Sequence, residues 1–375
     1  MRGLSLLIAI PSILSCNVDA DSKTSGTVDC SPDAPPIPAG TGFVLTSTYE
    51  TSSLDVFSTT DPSGMRRDLV LASGDTALRP VGKRIAILNR GDASNLMLLD
   101  ANATVLTQLA LPGCGPHDVI SLPDCRLLVA CYEDSRLRLV DPAQATTAYG
   151  PDLAAFADVD GKTEVDQLLL VGNRIYVTLQ NLDRDAYSPA GPGLVAVIAA
   201  DTLEVLDVRP GVNGIQAWEL PRQNPYTAIL LLDDGRLAVG CAGNQRDHAG
   251  MGVVALSPLD GATEVLFDGD ALGGPPSLVR RDPDGAMYAL ITYPDAWALD
   301  PEMRLIRLEH PTPTVLYAVP GFKLSGLAFD SAGLAYVGNR TADATNGVWR
   351  VNPTDVTTEG PFATGLPPLE VEIFR

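Results

Sequence analysis

One arrangement recurs along this chain. An apolar burst rich in Val, Ile, Leu and Tyr is followed by a polar loop, and a second burst closes near an Asp. It is plainest in CRLLVACYEDSRLRLVD, whose first burst begins at Leu127. Matching bursts begin at Phe43, Ile85, Ile175, Leu237, Met287 and Leu334, so successive gaps are 42, 42, 48, 62, 50 and 47 residues. A unit of this size cannot bury its own apolar faces and must stack on its neighbours. Several short strands repeated at about 40–50 residues predict the blades of a β-propeller.

The parts of each unit agree with that expectation. A first strand, such as His117–Leu122 or Tyr226–Leu232, is apolar on both faces and suits the innermost position. A corner of the form PDC, DDG, PDG or SAG follows, with residue types that supply turn dihedrals. Second and third strands flank a variable polar loop, and the half-exposed fourth strands are weaker in pattern. The first copy has no first strand ahead of Phe43, whereas the chain ends in LPPLEVEIF with nothing after it. Together they complete one blade. The expected fold is therefore all-β, a seven-bladed β-propeller closed by the C-terminal strand joining the first blade, which removes the edges an open array would leave.

Ahead of the repeats, MRGLSLLIAIPSILSC has one Arg and then an apolar run too short to span a bilayer. Residues 1–15 read as a secretory signal peptide. The sequence LSC resembles the bacterial lipobox, which implies lipidation of Cys16. Residues 16–40 are polar and Pro-rich, cannot fold alone, and read as a tether to a propeller spanning 41–375. The membrane would then be met only through the lipid anchor, and the expected place is the outer membrane. The formal charge of −20, from 26 basic and 46 acidic residues, argues against nucleic acid and anionic lipid surfaces. Six Cys are present; with Cys16 lipidated and Cys30 in the tether, Cys114–Cys131 is the pairing expected in the body, near one end of the third blade's strands.

The stretch GPHDVISLPDCRLLVACYEDSRLRLVDP resembles the YVTN repeat of YncE-like bacterial propellers. Pro116, His117, Pro123, Asp124, Val129 and Val140-Asp141-Pro142 carry the likeness, and NRIYVTL and LAYVGNR carry its Tyr-Val core. Cys125 stands where Gly235, Gly285 and Gly333 occupy the turn in other copies. The resemblance extends from Gly42 to Phe374. It implies a propeller of the cell envelope and mostly non-enzymatic roles.

Function is expected on the loops leading into the first strands and on those between the second and third strands, which share one face. The candidates for a binding face are His117, Asp118, Asp166, Asn224, Tyr226, Arg184, Arg246, His248 and Arg340, with Arg90 on a further loop of this kind. His117 is the one catalytic candidate, since imidazole titrates in a useful range. Asp118, Asp166 and Asn224 are the obvious set that could hold Ca²⁺ at the channel mouth, with a simpler Ca²⁺ loop over residues 158–166 as an alternative. DVDGKTEVD is acidic, but Phe156 and Gln167 stand where an EF-hand needs ligands. Trp218, Trp297 and Trp349 are expected to pack between blades. No nucleotide, zinc-protease or esterase motif occurs.

Two functions are weighed, beside a purely structural surface-layer element that would make its contacts along the ring's rim. The first is a non-catalytic binding or scaffold protein of the envelope, taking an envelope protein, a glycan or a small ligand on the loop face. The alternative is a lactonase-like hydrolase or lyase, Ca²⁺-dependent in one form, with its site at the central channel mouth. Convergence separates them: an enzyme gathers a base and its orienting partner within hydrogen-bond reach, whereas a binding face spreads contacts over several loops.

Overall fold

The computed structural model describes residues 35–158, 160–186 and 188–375. The expected signal peptide, Cys16 and Cys30 lie outside them. The chain is 4% helical, and strands account for the architecture.

Seven antiparallel sheets form the blades. Blade 1 runs, outside to inside, Asp61–Ser73, Thr51–Ser58, Thr41–Ser47 and the C-terminal Pro368–Ile373. Gly42 faces Ile373 and Val44 faces Val371 across that last pairing. The expected closure is thus present. Blades 2 and 3 have inner strands Thr76–Val81 and Pro116–Ser121; blade 4 has Val165–Val171; blades 6 and 7 have Pro276–Arg281 and Leu324–Phe329.

Packing follows directly from the two-faced burial of these strands. The buried apolar residues fall into seven clusters, each between two adjacent blades. Ile120 and Leu128 of blade 3 meet Leu168 and Val177 of blade 4. Val44 and Phe57 of blade 1 meet Ala328 and Tyr336 of blade 7. There is no single central core. The ring closes because the last blade finds the first.

Polar groups tie the inner strands together. Arg79 of blade 2 donates from Nε to Asp118 Oδ1 of blade 3 at 3.1 Å and from Nη1 to Glu370 Oε2 of blade 1 at 2.8 Å. Asp118 Oδ2 also accepts the amide of Leu168 in blade 4 at 2.8 Å. Arg280 of blade 6 reaches Glu372 of blade 1 at 3.1 Å. Asp118 is fully buried, so its charge is compensated by these partners rather than by water.

Two expectations change in detail. Blade 5 was expected to begin with a strand over Tyr226–Leu232, but only Leu230–Leu231 pair regularly, with one bridge from Pro225 to Cys241. The Thr227 hydroxyl accepts the amide of Gly240 at 2.9 Å, and the amides of Tyr226 and Thr227 both reach Gly240 O. A side chain therefore takes a place in the ladder, and the register is lost. The end of the expected tether is also docked: Ile37 is buried, its amide donates to Lys83 O, and Arg84 Nη1 reaches Pro35 O. Lys83 and Arg84 flank the first-to-second-strand turn of blade 2, so the chain joins the ring on the face opposite the long loops.

Cys114 and Cys131 are joined by a disulfide and Cys241 is a buried thiol. Cys125 has φ +71° where Gly235, Gly285 and Gly333 have φ +81°, +87° and +76°. Cys125 therefore holds the left-handed turn that glycine holds in other blades.

Candidate binding site at the channel mouth

The inner strands do not enter the ring regularly. In blades 1, 3, 4, 6 and 7 the pairing of the inner strand with its neighbour slips close to the loop face. A bulge at this place re-aims side chains. In blade 3, Pro116 pairs with Cys131 and Asp118 with Ala130, so His117 is the extra residue. In blade 4 the slip lies between Val165 and Leu168, which frees Asp166 and Gln167; the Gln167 amide turns to the Thr178 hydroxyl at 3.0 Å.

The two bulges meet. His117 Nδ1 lies 2.9 Å from Asp166 Oδ1. The imidazole stacks on Tyr132, with centroids 4.2 Å apart and planes 9° from parallel. Among the described residues no hydrogen bond reaches the other ring nitrogen, Nε2. Burial lowers the His117 pKa below its ordinary 6.5, Arg90 lowers it further, and the hydrogen bond to Asp166 opposes both. At neutral pH the ring is therefore uncharged, with Nδ1–H donating to Asp166 and Nε2 an open acceptor.

Other groups surround this pair. Asp166 is only 3% exposed, yet its Oδ2 has no partner. Arg90 has a buried Nε without a partner, and its Nη1 stays 3.9 Å from the well-exposed Asp75. Tyr226 of blade 5 remains 44% exposed. Burial raises its hydroxyl pKa, and Asp166, Arg90 and Glu370 of three other blades all act on it. Tyr226 stands on the segment that leads into the inner strand of blade 5, on the loop face.

The remaining candidates have different work. Asp118 is sealed below the mouth in the ion pair with Arg79 and does not present its carboxylate to a ligand. Asn224, at φ +53°, donates to Gly243 O at 3.1 Å, and its Oδ1 is buried without a partner. Among the described residues no group of three His, Cys, Asp or Glu is placed to hold a metal. Arg184 is a clasp: it pairs with Glu133 at 2.7 Å and Glu164 at 3.2 Å and lies over the Tyr132 ring at 4.7 Å. Burial pushes the Glu164 carboxyl up to about 7. Arg340 binds Pro368 O at 2.8 Å and Ser47 O at 2.9 Å, across the closing strand, and covers Tyr49. His248 engages Asp270 and Pro294 O, both at 3.0 Å, and so links blade 5 to blade 6 at the rim. It is not paired with His117. Arg246 is exposed on the same rim loop.

Exposed aromatics are concentrated on this face. Of the six exposed aromatic residues described, Tyr49, Tyr226, Tyr293, Trp297 and Phe322 lie on loop-face segments, and Tyr149 alone lies on an outer strand. Trp297 was expected between blades but is 67% exposed; Trp218 does pack between blades 4 and 5, and Trp349 packs against the cluster of blades 6 and 7. Two patterns thus share one face: an imidazole hydrogen-bonded to a carboxylate, and aromatic residues spread over the surrounding loops.

No family model and no curated protein matches the sequence. Solved structures do match. A putative 6-phosphogluconolactonase from Bacteroides uniformis aligns with TM-score 0.57 and 15% identity over 88% of this chain and 98% of that one. Apo AztD from Citrobacter koseri gives 0.50 and 10% over 88% and 97%. A catalytically inactive virginiamycin B lyase from Staphylococcus aureus gives 0.50 and 11% over 76% and 84%. The chain is a seven-bladed β-propeller. At these identities the likeness fixes the fold of the propeller and leaves its chemistry to its own residues.

Those residues make a direct prediction. His117 should titrate below 6.5, whereas His248, raised first by its bond to Pro294 O, should titrate above it. The signs of their stability effects are opposite. His117 stabilises fully above pH 6.5, and this is lost as pH falls through its lowered pKa; His248 stabilises below 6.5, and this is lost as pH rises through its raised pKa. Carbon-13 NMR of the imidazoles across pH 4–9, assigned with His117→Gln and His248→Gln, reads both. Midpoints on the same side of 6.5 would contradict the arrangement.

Proposed function

We propose that this propeller is an exported, lipid-anchored binding protein of the bacterial envelope, whose ligand seats at the channel mouth on the loop face. One observation carries the proposal. Beside His117, the Asp166 carboxylate and the Arg90 guanidinium each keep a buried polar atom without a partner. Buried polar atoms are almost always satisfied, and leaving one bare costs about 1–3 kcal/mol. A ligand that meets both atoms recovers that cost. The aromatic rim offers further contact area, since Tyr and Trp carry much of the energy in binding surfaces. Export and anchoring rest on the N-terminal sequence and its lipobox-like LSC.

Native mass spectrometry of the protein taken from its own membranes tests this reading. A small-molecule adduct should be present and should vanish in Asp166→Asn. Masses equal to the bare lipidated chain for each protein would refute it.

A second reading is favoured by the 2.9 Å contact of His117 with Asp166. An imidazole oriented through Nδ1 and open at Nε2 is a general base, and a hydrolase or lyase of esters or lactones would use it so. Turnover would then fall by about 10²–10⁴-fold in His117→Gln. The pH–rate profile would rise through a pKa below 6.5.

A further inference from the structure

The unpartnered groups at the channel mouth are of opposite charge. Asp166 offers a buried anionic oxygen. Arg90 offers a cationic N–H donor whose nearest acid, Asp75, stands 3.9 Å away on the solvent side. The uncharged His117 ring donates one hydrogen bond to Oδ1 and leaves the carboxylate's charge in place, with Oδ2 bare. A buried charge costs far more to leave bare than a neutral polar atom. A neutral polyol would fill both bare hydrogen-bonding sites but leave Arg90 balanced only by the exposed Asp75, and Asp166 only by His117 and the field of Arg79. A simple anion would serve Arg90 and be repelled by Asp166, and a simple cation the reverse.

We infer that the channel mouth takes a zwitterionic ligand, a free amino acid or short peptide, with its ammonium on Asp166 Oδ2 and its carboxylate on Arg90. This rests on the reading that a ligand seats there. The open Nε2 of His117 and the exposed Tyr226 are further contacts available to the ligand. The ligand's side chains then extend towards the aromatic rim.

Four compounds of one shape separate the terms. L-alanine carries both charges, L-lactate replaces the ammonium by a hydroxyl, propionate has the carboxylate alone and ethylamine the amine alone. Dialanine and the other common amino acids extend the set. Isothermal titration with the full lipidated chain in detergent should show at least one amino acid or dialanine binding at roughly millimolar or tighter. L-lactate should bind at least about tenfold more weakly than L-alanine, and propionate and ethylamine more weakly still. Asp166→Asn and Arg90→Gln should each weaken binding by at least about tenfold. Arg90 is partly exposed, so its variant tests the idea even if the Asp166 variant folds poorly. Lactate equal to or tighter than alanine would overturn the zwitterion, and so would no binding by any amino acid or dipeptide. In either case a native adduct that is lost in Asp166→Asn would show that the channel-mouth reading survives while this inference fails.

Discussion

Replacing Arg79 by Met should cost about 3–5 kcal/mol of folding stability, among the largest effects available to one substitution here. Arg79 is 8% exposed and sits between the fully buried Asp118 and the part-buried Glu370. Met keeps the stem's packing and removes the charge, so two carboxylates from two other blades are left facing a vacated position. Breaking a buried ion pair on one side costs far more than the pair itself contributes. The combined change Arg79→Met, Asp118→Leu, Glu370→Leu should recover only part of the loss. The amides of Leu168 and Leu78, now held by those carboxylates at 2.8 Å and 2.6 Å, would lose their acceptors. Urea unfolding of the three proteins decides it. A loss below about 1 kcal/mol in the single variant would mean that water already reaches the pair.

Ending the chain after Gly365 should abolish the closed ring. The deletion removes the inner strand of blade 1, takes Val371 out of the interface with blade 7, and takes Leu369 and Phe374 from the interface with blade 2. It also removes the carbonyl that Arg340 grips and both acids that answer Arg79 and Arg280. The expected loss is on the order of 5 kcal/mol or more, comparable with the whole stability of a typical domain. Thr41–Ser47 would become an open edge, which invites pairing between chains. Size-exclusion chromatography and circular dichroism should find aggregates or an expanded chain. A monomer with a cooperative transition within a few degrees of the intact protein's would refute the closure argument.

The fold was legible because its causes are periodic. Each blade must bury two faces, so each repeats the same apolar bursts, and the surplus first strand at the C-terminus matches the one missing at Phe43. Blade 5 escaped because Thr227 takes a backbone place, and a lone Thr in an apolar run gives no warning of that. The candidate site was legible only as a face. Sequence placed His117 and Asp166 on it but could not pair them, since they are 49 residues apart and meet through two bulges that leave no mark in composition. Arg184, Arg340 and Asp118 were named for the same face and prove to be clasps. Charge and position make a residue eligible for a ligand, but its partners decide whether it is free. Asp166 and Arg90 stand out by the reverse argument, since each keeps one buried polar atom without a partner.

The docking of Ile37 beside Lys83 gives the molecule a direction. Residues 35–37 are fastened to one side of the ring, and the His117 site opens on the other. Under the proposed anchor, the propeller would stand with its back to its own bilayer and its mouth to the opposite space. Ligand would then arrive from that space without crossing the crowded layer at the lipid headgroups. A protein that handed its ligand to a partner in the same membrane would have to turn over first.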